Sequence, residues 1–278
     1  MTRNGLALHT WTLDTTPLAD VLRIARRTGW NAIELRRVDF LRTFEAGRSA
    51  EAVLDLVKAS GLPVACVGVE LGWMFAEGAE RRRLLQVFAE SCQWAAALQC
   101  ATVMSPVDRG RGDLPRAVAS IREVGDLAAK YGVRLALEFN SQAEQFNSLP
   151  VLREAMTRAS HPHCGLLLDT YHLQRSGGDP RALEDLALEE IAYFQYSDVP
   201  RNGLQPGKIL DRLPPGRGTV PFPEVLRILA EKRYGGYLSY EAPNPSAWAR
   251  EPDTVAREAL MATRAFLPGA CKLWFSYL

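Results

Sequence analysis

Four short apolar runs in the second half of the chain each end on an oxygen-bearing side chain. Glu138 closes LALE, Asp169 closes CGLLLD, Gln195 follows IAYF and Glu241 follows YLSY. A loop or a helical pattern comes next in every case. Carboxylates gathered inside a protein lose hydration and repel one another, and the arrangement is unstable unless a cation pairs with them. A divalent metal resolves the conflict, because hard cations prefer oxygen ligands. If the runs are neighbouring strands, the four side chains form one oxygen-rich cage at one end of a barrel. A metal so held keeps positions open for a hydroxyl and an adjacent carbonyl oxygen. It acts as a Lewis acid, stabilises a developing enediolate and makes the carbon beside the carbonyl easier to deprotonate. That step also needs a base within hydrogen-bond reach.

The elements that must position these residues alternate along the chain. Strands are expected at 5–11, 31–36, 63–71, 101–106, 134–140, 164–172, 191–199 and 237–243. Amphipathic helices are expected near 17–28, 50–60, 80–99, 114–131, 149–159, 180–188, 221–233 and 252–267. Gly29, Gly61 and Gly132 stop the helices before them, and Pro180, Pro221 and Pro223 fall where helices begin. Eight strands each followed by a helix predict a single (β/α)8 TIM barrel, spanning residues 1–270. A doubly wound open sheet would carry a glycine-rich loop after its first strand, and LHTWTLDTT has no glycine. The longest unassigned stretch, 201–219, follows the seventh strand and would lie over the active face of a barrel. The apolar tail 271–278, with Trp274, Phe275 and Tyr277, is expected to pack on the barrel or on a partner subunit, which makes a homo-oligomer an expectation.

Composition narrows the function classes. The chain has 278 residues, 47% of them apolar, and a net charge of +1. It lacks the basic excess of a nucleic-acid binder. Arg36-Arg37 and Arg81-Arg82-Arg83 read as solvated faces. The five cysteines form no CxxC pair and are odd in number, which suits a reducing cytoplasm. MTRNGLALHTW lacks the apolar stretch of a signal peptide, and no window reaches the ~18 apolar residues of a membrane span.

With WNAIELR (including Glu34), LALEFN, LLLDTYHLQRSGGDP, FQYSDVP, the PPGRG turn and LSYEAPN in hand, the chain resembles the xylose isomerase-like TIM barrels, the sugar phosphate isomerase/epimerase superfamily. The resemblance covers nearly its whole length. It implies that Glu138, Asp169, Gln195 and Glu241 hold one divalent ion, Mn²⁺, Mg²⁺ or Co²⁺. An all-oxygen set suits Zn²⁺ less well. It also implies that Glu138 and Glu241, the glutamates of strands five and eight, are the bases. Many epimerases of the family have His on strand seven, where this chain has Gln195. The Gln form and the DTYH segment resemble the branch of 3-dehydroshikimate dehydratases, although VELGWMFAEGAE after strand three lacks the arginine signature of that branch. DNA-repair relatives carry many His ligands, which this chain with its four His does not match.

Around this centre, His172, three residues past Asp169, is a candidate to bind a substrate oxygen or shuttle a proton. His9 shares strand parity with Ala7, opposite Leu6 and Leu8, and is a candidate substrate contact. Arg212 resembles a family position where Arg reaches a substrate hydroxyl, with Arg217 as its alternative. Trp73 and Phe75 can wall a sugar-like substrate. Asp198 is expected to orient a loop or a ligand. The expected activity is metal-dependent isomerisation or epimerisation of a sugar, sugar phosphate or polyol-ketone. Dehydration of a dehydroshikimate- or inosose-like substrate is the alternative, and a catalytically silent binding barrel a third reading.

Overall fold

The computed structural model describes residues 4–267. Eight parallel strands close into a barrel in sequence order, with the last pairing the first. They are β1 Leu6–His9, β2 Ala32–Leu35, β3 Val64–Gly68, β4 Thr102–Pro106, β5 Arg134–Glu138, β6 Cys164–Asp169, β7 Ile191–Tyr196 and β8 Leu238–Tyr240. The helices are α1 Leu18–Thr28, α2 Arg37–Glu45, α3 Ala50–Ser60, α4 Gly78–Ala97, α5 Leu114–Lys130, α6 Leu149–Ala159, α7 Thr170–Arg175, α8 Phe222–Glu231, α9 Pro245–Trp248 and α10 Pro252–Phe266. No helix among the described residues is long and apolar enough to cross a membrane. The tail 271–278, and with it the expectation about Trp274, Phe275 and Tyr277, lies outside the described residues.

Strand parity divides the core in two. Leu6 and Leu8, Ile33 and Leu35, Leu135 and Leu137, Leu166 and Leu168, Phe194 and Tyr196, and Leu238 and Tyr240 all join the large cluster between strands and helices. The residues between them, Ala7, Ala32, Ala136, Leu167 and Tyr193, join Ala65, Cys66 and Met104 in a second, smaller cluster that plugs the barrel interior. Because side chains alternate along a strand, the residue two positions after an inward one also points inward. Thus Ala7 leads to His9, Ala32 to Glu34, Ala136 to Glu138, Leu167 to Asp169 and Tyr193 to Gln195. The polar site sits one pleat above the apolar plug.

Several strands are shorter than expected, and three segments differ in kind. The sixth strand stops at Asp169 rather than at 172, because the Asp169 carboxylate accepts the Tyr171 N–H at 2.8 Å and caps α7. The stretch 37–45 forms an unexpected helix, whose start is fastened by Asp39 Oδ2 accepting the Arg36 N–H at 2.8 Å. Arg36 is not on a solvated face. It pairs with Asp14 at 2.7 Å and with Asp39 at 3.3 Å. The expected helix over 180–188 is two 3-10 turns, Pro180–Leu183 and Leu188–Glu190.

Candidate active site at the C-terminal mouth of the barrel

Glu138, Asp169, Gln195 and Glu241 lie at or just past the ends of β5 to β8, at the face where barrels of this architecture carry their sites. Register places Asp169 opposite Gln195 and His9 opposite Glu34. All are buried. Donor atoms of Glu138, Asp169 and His172 lie within 4.8 Å of one another. His172 enters this group because α7 begins directly after Asp169 and its first turn brings residue 172 back over the strand end. A strand running to 172 would have placed it elsewhere.

Arg212 links the carboxylates. Its Nη1 donates to Asp169 Oδ2 at 2.6 Å and lies 3.1 Å from Glu241 Oε2, while Nη2 lies 3.2 Å from His172 Nε2. Its guanidinium stacks over the Tyr171 ring at 4.3 Å. Arg217 is exposed and does not enter the site. Arg212 is delivered by the long loop after β7, which Asp198 anchors by accepting the N–H groups of Val199, Gly218 and Val220 at 2.7–2.9 Å. Gly218 is required there, since a Cβ would fall 2.0 Å from the Val199 carbonyl oxygen. Further out, Arg175 donates to the carbonyls of Gln205 and Lys208, each at 2.9 Å, and Tyr171 bonds Asp211.

The two histidines are held alike, each accepting a backbone N–H on Nδ1 and turning Nε2 toward the carboxylates. The Trp11 N–H donates to His9 Nδ1 at 3.0 Å, so the His9 proton sits on Nε2, 3.5 Å from Glu241 and 3.6 Å from Glu34. His9 is therefore an N–H donor aimed into the site. His172 Nδ1 accepts the Ser141 N–H at 3.2 Å and meets Ser141 Oγ at 2.9 Å, while its Nε2 faces Arg212 and, at 3.9 Å, Glu138. Burial, then the nearby Arg36 and Arg212 charges, holds His9 well below its usual pKa. Burial likewise depresses His172 to about 3 despite the Asp169 charge. Both rings are neutral near pH 7.

The carboxyls behave differently from one another. Burial raises Glu34 to about 8, with the Glu241 charge adding to it. Burial raises Glu241 to about 7, opposed by Arg212. Burial and the Asp169 and Glu241 charges push Glu138 well up. Burial pushes hardest on Asp169, but the Arg212 charge, the His172 ring and the hydrogen bonds from the Tyr171 N–H and Arg212 together outweigh it and hold that carboxyl below its usual value. Below pH 6.5 the depressed histidines and the raised glutamates act in opposite directions on stability. Between pH 6.5 and 8 the raised glutamates dominate, because the folded chain retains protons that the unfolded chain has lost. Stability then falls as pH rises. The melting temperature in EDTA is accordingly expected to drop between pH 6.5 and 8, and a flat profile would contradict the burial of these acids.

The donor set fits a divalent ion. Glu138 Oε1 and Gln195 Oε1 are buried and have no hydrogen-bond partner among the described residues. Acidic groups outnumber the single guanidinium between them, and the His172 imidazole lies beside the oxygen donors. Glu34, in AIEL, is not among the expected ligands or substrate contacts, yet it lies in the site. It accepts Gln195 Nε2–H at 2.8 Å and Tyr193 O–H at 3.1 Å. The missed signal was the same parity rule that turns His9 inward. Trp73 packs on Phe88 and donates its indole N–H to Ser105 Oγ at 2.9 Å. It is fully buried, with no face open to a ligand in this structure. Phe75 is stacked on Phe146.

Known proteins show the same architecture. An inosose isomerase of Halalkalibacterium halodurans is 22% identical over 255 residues, covering 89% of this chain and 90% of that protein. A 3-dehydroshikimate dehydratase of Pseudomonas putida is 28% identical over 138 residues, 48% of this chain but only 21% of the larger enzyme. A crystal structure of IOLI protein with a zinc atom superposes with a TM-score of 0.85 at 18% identity, covering 94% of this chain and 97% of that one. The profile of the xylose isomerase-like TIM barrels matches residues 22–266. The chain belongs to the xylose isomerase-like TIM barrel family.

Proposed function

We propose that this protein isomerises or epimerises an uncharged polyhydroxy ketone, of the sugar or inosose type, by removing a proton from the carbon beside a carbonyl. The observation that carries the reading is the pair of buried carboxyls, Glu138 and Glu241, on either side of the Arg212–Asp169 pair. Both face that pair and the histidines beside it, Glu138 with its Oε1 3.9 Å from His172 Nε2 and Glu241 with its carboxylate 3.1 Å from Arg212 Nη1 and 3.5 Å from His9 Nε2. Each can take or return a proton, and two bases on different strands allow delivery to a different face or a neighbouring carbon.

Glu138, Asp169, Gln195 and Glu241 would hold the ion, with the His172 imidazole beside them. A divalent ion bound there supplies Lewis-acid polarisation of the substrate carbonyl. His9 donates its Nε2–H to a substrate oxygen. Arg212 holds Asp169 ionised and presents its remaining N–H groups to a hydroxyl. The buried setting excludes water from the proton transfer.

Dehydration is the second reading, supported by the partial likeness to the Pseudomonas putida 3-dehydroshikimate dehydratase. Charge argues against an acidic substrate. Arg212 is already paired with Asp169 and Glu241, and Arg36 with Asp14 and Asp39. The test is incubation of the Mn²⁺-loaded protein in D₂O with inososes, ketohexoses and dehydroshikimate. Deuterium entering beside the carbonyl of a neutral ketone is expected. Exchange or water loss on dehydroshikimate alone would favour the dehydratase, and no exchange on any of them would sink both.

Gln195→His tests the ligand set. Imidazole suits Zn²⁺ and Co²⁺ better than Mg²⁺, so the variant is expected to keep a metal and shift its preference toward those ions. An unchanged order of affinities in metal titrations would remove Gln195 from the set.

A further inference from the structure

We infer that Glu34 is a positioning residue that sets which end of the Gln195 side chain faces the ion site. The inference rests on the reading of Gln195 as a metal ligand. A carboxamide has two ends of similar shape and opposite chemistry, and only the oxygen can ligate a cation. Gln195 is fully buried, so its orientation is set by the groups packed around it. Its Nε2 donates to Glu34 Oε1 at 2.8 Å, while its Oε1 has no partner among the described residues. Turning the amide over would press its oxygen against the Glu34 oxygen and aim an N–H₂ group at the site.

Glu34 is itself held as an acceptor. The Tyr193 hydroxyl donates to its Oε2 at 3.1 Å, and the His9 Nε2–H faces Oε1 at 3.6 Å. Donors thus meet both Glu34 oxygens, and the oxygen that faces the Gln195 amide is the one approached by two N–H groups. A residue that ligates through one end and is oriented through the other is the usual economy of a metal site. Here the orienting group is on β2, across the barrel from the strands that carry the ligands, so it contributes without touching ion or substrate.

The test is a double-mutant cycle read by Mn²⁺ affinity of the EDTA-stripped full-length protein, with free Mn²⁺ followed by electron paramagnetic resonance. Gln195→Leu and Glu34→Leu are each expected to weaken Mn²⁺ binding about 10–100-fold. Glu34→Gln, which can present either an oxygen or an N–H₂ group to Gln195, is expected to weaken it less, and it decides the matter if Glu34→Leu does not fold. In the Gln195→Leu background either Glu34 change is expected to add almost nothing, because the side chain it orients is gone. A Glu34 variant that binds Mn²⁺ like the wild type, or whose loss persists in full in the Gln195→Leu background, overturns the inference while leaving Gln195 a ligand. Gln195→Leu with wild-type affinity overturns the ligand reading and the inference with it.

Discussion

Glu138→Gln is expected to lower turnover about 10²–10⁴-fold, the range for loss of a general base, and Glu241→Gln to do the same. Each change removes a base and a metal charge while keeping shape. The fold is expected to survive, and for Glu138 the metal-free protein is expected to gain stability. Its carboxyl is disfavoured there by burial and by the Asp169 and Glu241 charges, and its Oε1 has no partner among the described residues to lose. A group that destabilises the folded chain yet sits at the reacting centre fits a functional rather than a structural role. The check is deuterium wash-in on the responsive ketone beside a melt in EDTA. Wild-type exchange in either variant would end the two-glutamate mechanism.

Arg212→Met should have the largest effect on stability. The guanidinium is buried between Asp169 and Glu241, and removing one partner of a buried ion pair leaves the others uncompensated, at about 3–5 kcal/mol. That loss is expected in EDTA. In Mn²⁺ a large part of it should be recovered, because a cation bound to the same carboxylates replaces the missing charge and stabilises the folded state by mass action. Chemical denaturation of wild type and variant, with and without Mn²⁺, measures both. If Mn²⁺ leaves the gap between the two proteins unchanged, the ion and the guanidinium do not share Asp169 and Glu241.

The folding pattern explains which parts of the site are local and which are not. Glu138, Asp169, Gln195 and Glu241 could be picked out because each ends an apolar run, and an apolar run ending in a loop is a local property of the chain. The same holds for the order of strands and helices, which amounts to the barrel once eight units are counted. The His9 parity is local as well. What escaped were features set by short-range competition between structures. Asp169 serves both as a strand terminus and as the cap of α7, and the run CGLLLDTYH reads equally well as a longer strand. Arg36, Asp39 and the helix after them depend on Asp14, which belongs to a separate segment.

By itself, then, the sequence determined the eight strands, most of the helices, the (β/α)8 count and the four ligand candidates, because strand parity and helix stops act over a few residues. Only the tertiary structure decided that Arg212 rather than Arg217 enters the carboxylate cluster, that His172 turns its Nε2 into it, that Trp73 belongs to the core, and that Glu34 holds the Gln195 amide. Each of these contacts joins residues between about 30 and 160 positions apart. Closure of the barrel brings β2 across from β7 and folds the loop after β7 back over the strand ends. No local pattern encodes such distances, because they arise from the shear and packing of the whole barrel.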